Sequence, residues 1–188
     1  MLIASRLSPL QRHISLALIV GLLISAGQAS AGTWKQVVNP NPKYYSGTML
    51  LLTDGTVMVQ STYDYVSWTK LTPDATGSYV NGTWTTLAPM TLTRKNFASI
   101  VMPDGRVLVL GGEFSGSNLS SKANNTNRGE IYDPVTNKWK RIANFPEQTF
   151  GAAPAVLRPS SYSSSYWTIL AGSPATSQTY EYDPQFDQ

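Results

Sequence analysis

Several aromatic and polar residues of this 188-residue chain fall in segments that have the composition of loops. Aromatic rings beside short polar groups suit carbohydrate recognition, because sugar C–H faces stack on rings while sugar hydroxyls need hydrogen bonds. They also suit protein recognition, in which Tyr and Arg dominate hot spots. The alternative is that these aromatic side chains fill the wedges between packed sheets. Lys95 falls in the same segments. The candidate ligand-binding residues are Tyr44, Tyr45, Tyr63, Asp64, Tyr65, Arg94, Glu113, Phe114 and Arg128.

The charged candidates have two interpretations each. Arg94 and Arg128 could bind a ligand carboxylate, but an ion pair with Asp or Glu from a neighbouring unit of the fold is the more common role. Glu113, Glu147 and Asp64 are the carboxylates that could serve as acid and base. The sequence does not indicate the separation of roughly 5–10 Å that paired glycosidase carboxylates need. No catalytic residue is therefore predicted.

Residues 1–31 have the three-part pattern of a secretory signal peptide. Two arginines and a histidine precede an apolar stretch at 14–26, and the small residues at 27–31 predict cleavage after Ala31. A membrane anchor is the competing interpretation, but a spanning helix needs about 20 apolar residues. We therefore expect a secreted protein, extracellular or periplasmic, with no membrane attachment after cleavage.

The composition after the leader excludes several classes of function. The chain has no cysteine, and its single histidine, His13, lies in the leader. The commonest transition-metal ligands and the commonest general base are thus missing after residue 31. The 12 basic and 11 acidic residues that remain give a net charge of +1, without the basic cluster that nucleic-acid binding requires. No metal, cofactor or nucleic-acid partner is predicted, and a non-enzymatic role is favoured.

A repeat of about fifty residues positions these candidates. Residues 52–59 and 102–109 each have an apolar run, an Asp-Gly turn and a second apolar run, and Trp34, Trp84 and Trp139 recur at a similar interval. Repeats of this length indicate a propeller or another stacked array. The tryptophans are interpreted as packing residues.

Short β-rich runs separated by turn residues predict an all-β fold. The repeat units are predicted at about 46–90, 94–146 and 149–188, and residues 32–38 match a fourth strand that closes another blade. The predicted strands are 47–52, 56–60, 68–71 and 84–87 in the first unit, 97–102, 106–110, 128–132 and 139–142 in the second, and 153–157, 166–170 and 178–182 in the third.

The middle unit resembles the kelch repeat. The matching features are the segment 104–109, the double glycine at 111–112, the segment 130–134 and Trp139. The first and third units depart from the pattern, with Gln60-Ser61 and Ala171-Gly172 in place of the double glycine. The resemblance implies a kelch-type β-propeller with about two complete four-stranded blades, a partial third blade and an N-terminal closing strand.

The resemblance extends to the galactose-oxidase-like copper radical oxidases, which have kelch-type propellers. That family implies a cysteine cross-linked to a tyrosine, a further tyrosine and two histidines around copper. The best-fitting positions, Tyr44-Tyr45 and Asn96-Phe97, supply no cysteine, and no catalytic residue is carried over.

A propeller ring has four to eight blades, so two units and part of a third do not close one. We expect the chain to be the N-terminal part of a longer propeller or, as a second possibility, to form a composite ring with identical chains, and in isolation to aggregate or oligomerise. The predicted function is that of an exported, non-catalytic kelch module that binds a glycan or a protein partner. The alternative is the N-terminal part of a secreted copper radical oxidase whose metal ligands lie beyond this chain.

Overall fold

The computed structural model contains three antiparallel sheets. The structure describes residues 32–43, 45–115, 124–147, 155–160, 167–173 and 176–187. Tyr44 lies outside the described residues. No helix in the part of the chain that is described is long and apolar enough to cross a membrane.

Each sheet follows the chain order of its strands, as a meander does. Blade 1 consists of β1 (Ser46–Leu51), β2 (Val57–Ser61), β3 (Trp68–Thr72) and β4 (Thr83–Leu87). Blade 2 consists of β5 (Ala98–Val101), β6 (Val107–Leu110), β7 (Gly129–Asp133) and β8 (Lys138–Arg141). Blade 3 consists of β9 (Ala155–Pro159), β10 (Trp167–Gly172) and β11 (Thr179–Tyr182). The prediction of antiparallel four-stranded blades is confirmed for blades 1 and 2, and over the described residues the sheets do not close a ring.

The first two strands of blades 1 and 2 are joined by the predicted Asp-Gly turns. In blade 1 the Asp54 carboxylate accepts hydrogen bonds from the Thr56 N–H, at 2.9 Å, and from the Thr56 hydroxyl, at 2.7 Å. Gly105 in the equivalent turn of blade 2 has a φ of 88°, and a Cβ there would lie 2.9 Å from the Thr53 hydroxyl of blade 1. Glycine is required because the turn needs positive φ and lies against the neighbouring blade.

Two apolar cores lie between successive blades. The first combines Leu52, Met58 and Trp68 of blade 1 with Val107 and Val109 of blade 2, all nearly inaccessible to solvent. The second packs blade 2 against blade 3 and is formed by Ala98, Ile100, Met102, Leu108, Leu110, Ile131, Ile142, Phe145, Ile169 and Ala171. Because β6 contributes to both cores, all four of its residues are buried, as its continuous apolar run predicts.

One hydrogen-bonding arrangement is repeated at both inter-blade boundaries: a side-chain oxygen after a blade's third strand accepts bonds from a tyrosine of that strand and from the segment after the preceding blade. We call this arrangement the latch. In blade 2 the Asn137 Oδ1 accepts hydrogen bonds from the Tyr132 hydroxyl, at 2.9 Å, and from the Ala88 N–H just after blade 1, at 2.9 Å. In blade 3 Asp187 accepts equivalent bonds from Tyr182 and Ala143. Asn137 and Asp187 both have positive φ, 52° and 56°.

The tyrosine of this latch stays a hydrogen-bond donor across the physiological pH range. Burial, together with the nearby Asp133 and Asp54 carboxylates, raises the pKa of Tyr132 to about 12. The Tyr132 hydroxyl therefore remains protonated and holds the turn after β7 against the segment that follows blade 1.

Residues 32–38 are not assigned to a strand, although the Val38 N–H donates to the Val80 carbonyl at 2.8 Å. The pairing of this segment with another blade stays a prediction. The packing role expected for Trp34 likewise stays a prediction.

We expect Asn137→Ala to lower the free energy of unfolding by about 2 kcal/mol, because it removes hydrogen bonds to two donors and places alanine at positive φ. Asn137→Asp is the matched control and should be nearly neutral, since Asp187 already performs this role in blade 3. Urea unfolding measures both. An equal loss for the two variants would contradict the latch.

Candidate functional site

The connector between blades 1 and 2, residues 88–97, is fixed between loops of both blades. The Arg94 N–H donates to the Tyr65 carbonyl in the β2–β3 loop at 3.0 Å. Lys95 and Glu113, at the start of the β6–β7 loop, exchange backbone hydrogen bonds of 3.0 and 2.8 Å. The connector and these two loops together form one surface, which we call the loop face.

A buried ion pair lies beneath the loop face. Arg94 and Glu130 have side-chain exposures of 0% and 1%, and the Arg94 Nη2 lies 2.7 Å from the Glu130 Oε1. The Arg94 Nη1 donates to the Gly111 carbonyl at 2.9 Å and to the Arg128 carbonyl at 2.7 Å. Burial lowers the pKa of Arg94, and the Glu130 carboxylate opposes that shift.

The location of Arg94 corrects the sequence interpretation. Its carboxylate partner is Glu130 on β7 of blade 2, the blade that Arg94 directly precedes, and not a residue of blade 1. Its guanidinium is enclosed by protein, so in this arrangement it does not reach a ligand at the surface. The Arg94 Nε is buried and has no hydrogen-bond partner among the described residues.

The same network connects the two blades. The second Glu130 oxygen accepts a hydrogen bond from the Thr91 N–H of the connector at 2.8 Å. The Gln60 Nε2, on β2 of blade 1, donates to the Arg94 carbonyl at 2.6 Å and to the Tyr65 carbonyl at 3.2 Å. Gln60 is 1% exposed. The connector therefore gains polar partners from both blades where it would otherwise bury unpaired backbone groups.

Above this network, the loop face carries a cluster of two aromatic rings and a lysine. The Tyr65 and Phe114 ring centroids are 6.0 Å apart. The Lys95 Nζ lies 3.9 Å from the centroid of Phe114 and 5.7 Å from that of Tyr65. Both distances are within the range of cation–π attraction. We call Tyr65, Lys95 and Phe114 the loop-face cluster.

The backbone at these aromatic residues is unusual. Tyr65 and Phe114 have φ values of 57° and 55°, and Tyr45, at the start of blade 1, has a φ of 45°. This left-handed region is occupied mainly by Gly, Asn and Asp, and a bulky side chain there is an outlier. Such strain costs on the order of 1 kcal/mol or more per residue and concentrates at functional sites.

The remaining candidates are dispersed around the cluster. Tyr45 and Tyr63 are 71% and 68% exposed. The Glu113 carboxylate accepts a hydrogen bond from the Asn96 side chain at 2.9 Å. The Arg128 side chain is exposed and forms no ion pair within the described part of the chain.

Asp64 organises the β2–β3 loop. Its carboxylate accepts hydrogen bonds from the Val66 N–H and from both the N–H and the hydroxyl of Ser67. Burial alone would raise the pKa of Asp64, but these hydrogen bonds outweigh it and hold the pKa below its ordinary value. The Asp64 carboxylate is thus hydrogen-bonded to backbone and side-chain groups of its own loop.

The sequence analysis did not identify Gln60 and Glu130 as the buried polar residues that accompany Arg94 in this network. Each is a polar residue at a strand position next to an apolar run, Val-Met-Val before Gln60 and Ile-Tyr after Glu130. A buried polar side chain needs a partner, so such a position is itself a signal.

No group of three or more His, Cys, Asp or Glu residues is arranged to hold a metal ion among the residues described. The copper site that the resemblance implies needs a thiol and two imidazoles, and Tyr45, Asn96 and Phe97 supply neither. The donor set of this chain therefore does not fit that cofactor.

We expect Arg94→Met or Glu130→Leu alone to lower the free energy of unfolding by about 3–5 kcal/mol, because each leaves one buried charge unpaired. The double variant should be more stable than either single variant, since no unpaired charge remains. Urea unfolding of all three variants measures this coupling. Additive losses would contradict an interacting buried pair.

We also expect the stability advantage of the wild type over Asp64→Asn to depend on pH. Because the folded-state pKa of Asp64 is lowered, the advantage should be present above the unfolded pKa of about 4 and disappear as the pH falls through the folded value. Unfolding free energies measured between pH 3 and 7 test the sign. A difference that grows on acidification would contradict it.

Comparisons with known proteins agree with the fold. Residues 94–146 match the family model of the Kelch motif. The Kelch-like protein terF of Aspergillus terreus is 33% identical over 79 residues, which cover 42% of this chain and 17% of that protein. The chain therefore spans well under two thirds of this relative.

Two solved structures are similar. The structure of YjhT aligns with a TM-score of 0.52 and 19% identity, over 77% of this chain and 53% of that one. A fungal alcohol oxidase of the AA5 family in complex with copper aligns with a TM-score of 0.44 and 22% identity, over 72% of this chain and 29% of that one. The kelch prediction is confirmed over residues 94–146, which match the Kelch motif, and the similarity to YjhT supports the propeller-type fold of the described sheets.

Proposed function

We propose that this chain is an exported, non-catalytic kelch module that binds a partner through its loop face. The observation that carries the proposal is the loop-face cluster of Tyr65, Lys95 and Phe114, to which both blades and their connector contribute. Because the buried Arg94–Glu130 network holds the connector in place, the cluster is preorganised, which lowers the entropic cost of binding.

The residue types at positive φ support a binding role for the side chains. Where the fold needs positive φ at its other turns, it uses Gly55, Gly105, Asn137 and Asp187. Glycine or asparagine at position 65 would accept the same backbone conformation with less strain. A tyrosine at this position therefore suggests that the ring itself has a role.

A protein partner is favoured over a glycan. The Lys95 ammonium already lies over one face of the Phe114 ring, and a sugar ring would compete for that face. Aromatic rings beside a cation, with further exposed tyrosines at 45 and 63, match the composition of protein-binding hot spots. A glycan remains the alternative that the experiment below distinguishes.

Export is the second element of the proposal and rests on the pattern of residues 1–31. The chain has no cysteine, so its stability in an oxidising compartment depends on burial and backbone pairing alone. The extensive cores between blades are consistent with that requirement.

The copper-oxidase alternative gains no specific support from these residues. After residue 31 the chain has neither a histidine nor a cysteine, so we derive no catalytic step from it. An oxidase role for a larger protein stays a prediction about residues that this sequence does not contain.

We expect Tyr65→Asn and Phe114→Asn to abolish partner binding while leaving the unfolding midpoint within about 3 °C of the wild type, because asparagine accepts positive φ. The measurement is affinity capture from the extracellular fraction of the source organism, with a glycan array run in parallel. Val135→Ala is the control, since Val135 is 92% exposed in the turn after β7, away from the loop face.

Capture of one protein that both asparagine variants lose and the control retains would support the proposal. Binding on the glycan array without capture of a protein would indicate that the loop face binds a glycan instead of a protein. Capture that is unchanged in both asparagine variants would contradict a role for the loop face.

A further inference from the structure

A pocket lies between blades 2 and 3, at the end of the strands that is opposite the loop face. Connector 88–97 precedes β5 and the β5–β6 turn follows it, so the loop face and this turn are at opposite ends of one strand. The pocket has a volume of about 590 Å³, within the range of small-molecule sites. We call it the turn pocket. Its lining includes Pro103, Asp104 and Arg106 of blade 2 and Trp167, Pro184 and Gln185 of blade 3.

The strand registers identify the residue of blade 2 that corresponds to Trp167. Val107 on β6 lies opposite the latch tyrosine of blade 2, and Ile169 on β10 lies opposite the latch tyrosine of blade 3. Val107 and Ile169 are therefore equivalent. Two residues earlier in the chain, blade 2 has Gly105 where blade 3 has Trp167.

This difference between glycine and tryptophan changes how the neighbouring blades meet. Gly105 lies directly against blade 1, since a Cβ there would be 2.9 Å from the Thr53 hydroxyl oxygen. An indole needs far more room, and at the second boundary the turn pocket lies beside Trp167. The ring does not fill that space: Trp167 is 38% exposed, whereas Trp68 in the core between blades 1 and 2 is completely buried. The Trp167 ring is therefore accessible to a ligand in the pocket.

An ion pair forms the polar side of the turn pocket. The Asp104 Oδ2 accepts a hydrogen bond from the Arg106 Nε at 2.8 Å and lies 2.7 Å from the Arg106 Nη2. The Asp104 Oδ1 accepts a hydrogen bond from the Arg106 N–H at 3.0 Å. The two side chains neutralise each other, so the pocket favours an uncharged polar ligand over an anion. The Arg106 Nη1 donates to no described residue, so its N–H groups remain available to such a ligand.

We propose that the turn pocket binds a neutral saccharide, with the C–H face of one sugar ring against the Trp167 indole. Each sugar hydroxyl both donates and accepts hydrogen bonds. The Arg106 guanidinium donates, the Asp104 carboxylate accepts and the Gln185 amide does both, so one pocket holds partners of each kind. This site is separate from the loop face, and it does not depend on the function proposed there.

The two aromatic sites differ in a way that favours a sugar at Trp167. On the loop face, the Lys95 ammonium lies over the Phe114 ring, at 3.9 Å from its centroid. Among the described residues no cation lies over the Trp167 ring, so this ring offers a face on which a sugar meets no competitor.

Saturation-transfer NMR of the purified chain tests the site, because it detects weak binding whatever the size of the protein assembly. The probes are the methyl glycosides of glucose, galactose, mannose and N-acetylglucosamine, each at about 10 mM. These probes are uncharged and differ in the orientation or substitution of their hydroxyls. At least one should receive saturation, most strongly at the C–H protons of one ring face. Trp167→Ala should abolish the transfer, and Trp167→Phe should retain part of it, because an aromatic ring remains.

Variants of exposed polar side chains test the pocket without removing the ring. Arg106→Gln and Gln185→Ala should each weaken binding by about 2- to 10-fold, the effect of one lost hydrogen bond. Tyr65→Asn is the matched control on the loop face and should leave the transfer unchanged. The same set of variants assigns any signal on a glycan array to the turn pocket or to the loop face. Absence of transfer to all four glycosides, transfer that persists in Trp167→Ala, or loss of transfer in Tyr65→Asn would overturn the proposal.

Discussion

Apolar contact between successive sheets is the interaction on which the rest of this structure depends. Blade 2 is covered on both faces, so β6 is buried along its whole length, whereas Met49, Leu51 and Val156 remain exposed on the outer faces of the flanking blades. Burying a side chain of this size contributes about 1.5–3 kcal/mol. A kelch blade is therefore stable to the extent that another blade covers it, which is the general behaviour of repeat arrays.

Stacking the blades creates a second constraint, because connector 88–97 joins two packed sheets and places backbone groups and the buried Arg94 side chain where they need partners. Gln60, Arg94 and Glu130 satisfy those groups around connector 88–97. Hydrogen bonds from the Gln60 Nε2 and the Arg94 N–H to the Tyr65 carbonyl join this network to the β2–β3 loop, in which Tyr65 has a positive φ. The buried polar network and the half-buried loop-face cluster are thus two sides of one arrangement.

The strands were predictable to within two residues, because Asp-Gly turns and short apolar runs define them locally. The partner of Arg94 was not predictable. A glutamate of blade 2 and a carboxylate of another blade are equally compatible with the sequence, and only the packing of β7 against the connector decides between them. The positive φ of Tyr65 and Phe114 has no sequence signal either. These residue types rarely adopt positive φ, so the sequence favours a different backbone conformation at both positions.

The departures of blade 1 from the kelch pattern can also be explained by the hydrogen bonds that hold the incoming chain segment. In blade 2, Gly111 and Gly112 allow close backbone approach: a Cβ on Gly112 would lie 2.9 Å from the Lys95 carbonyl. Blade 1 has Gln60-Ser61 beside the equivalent position, and the Ser61 hydroxyl donates to the Lys43 carbonyl at 3.0 Å. Side-chain hydrogen bonds there supplement the close backbone approach, so the motif can vary where another group satisfies the incoming segment. In blade 2 the glycines permit the close approach of the connector, and in blade 1 the Ser61 side chain also bonds the incoming segment.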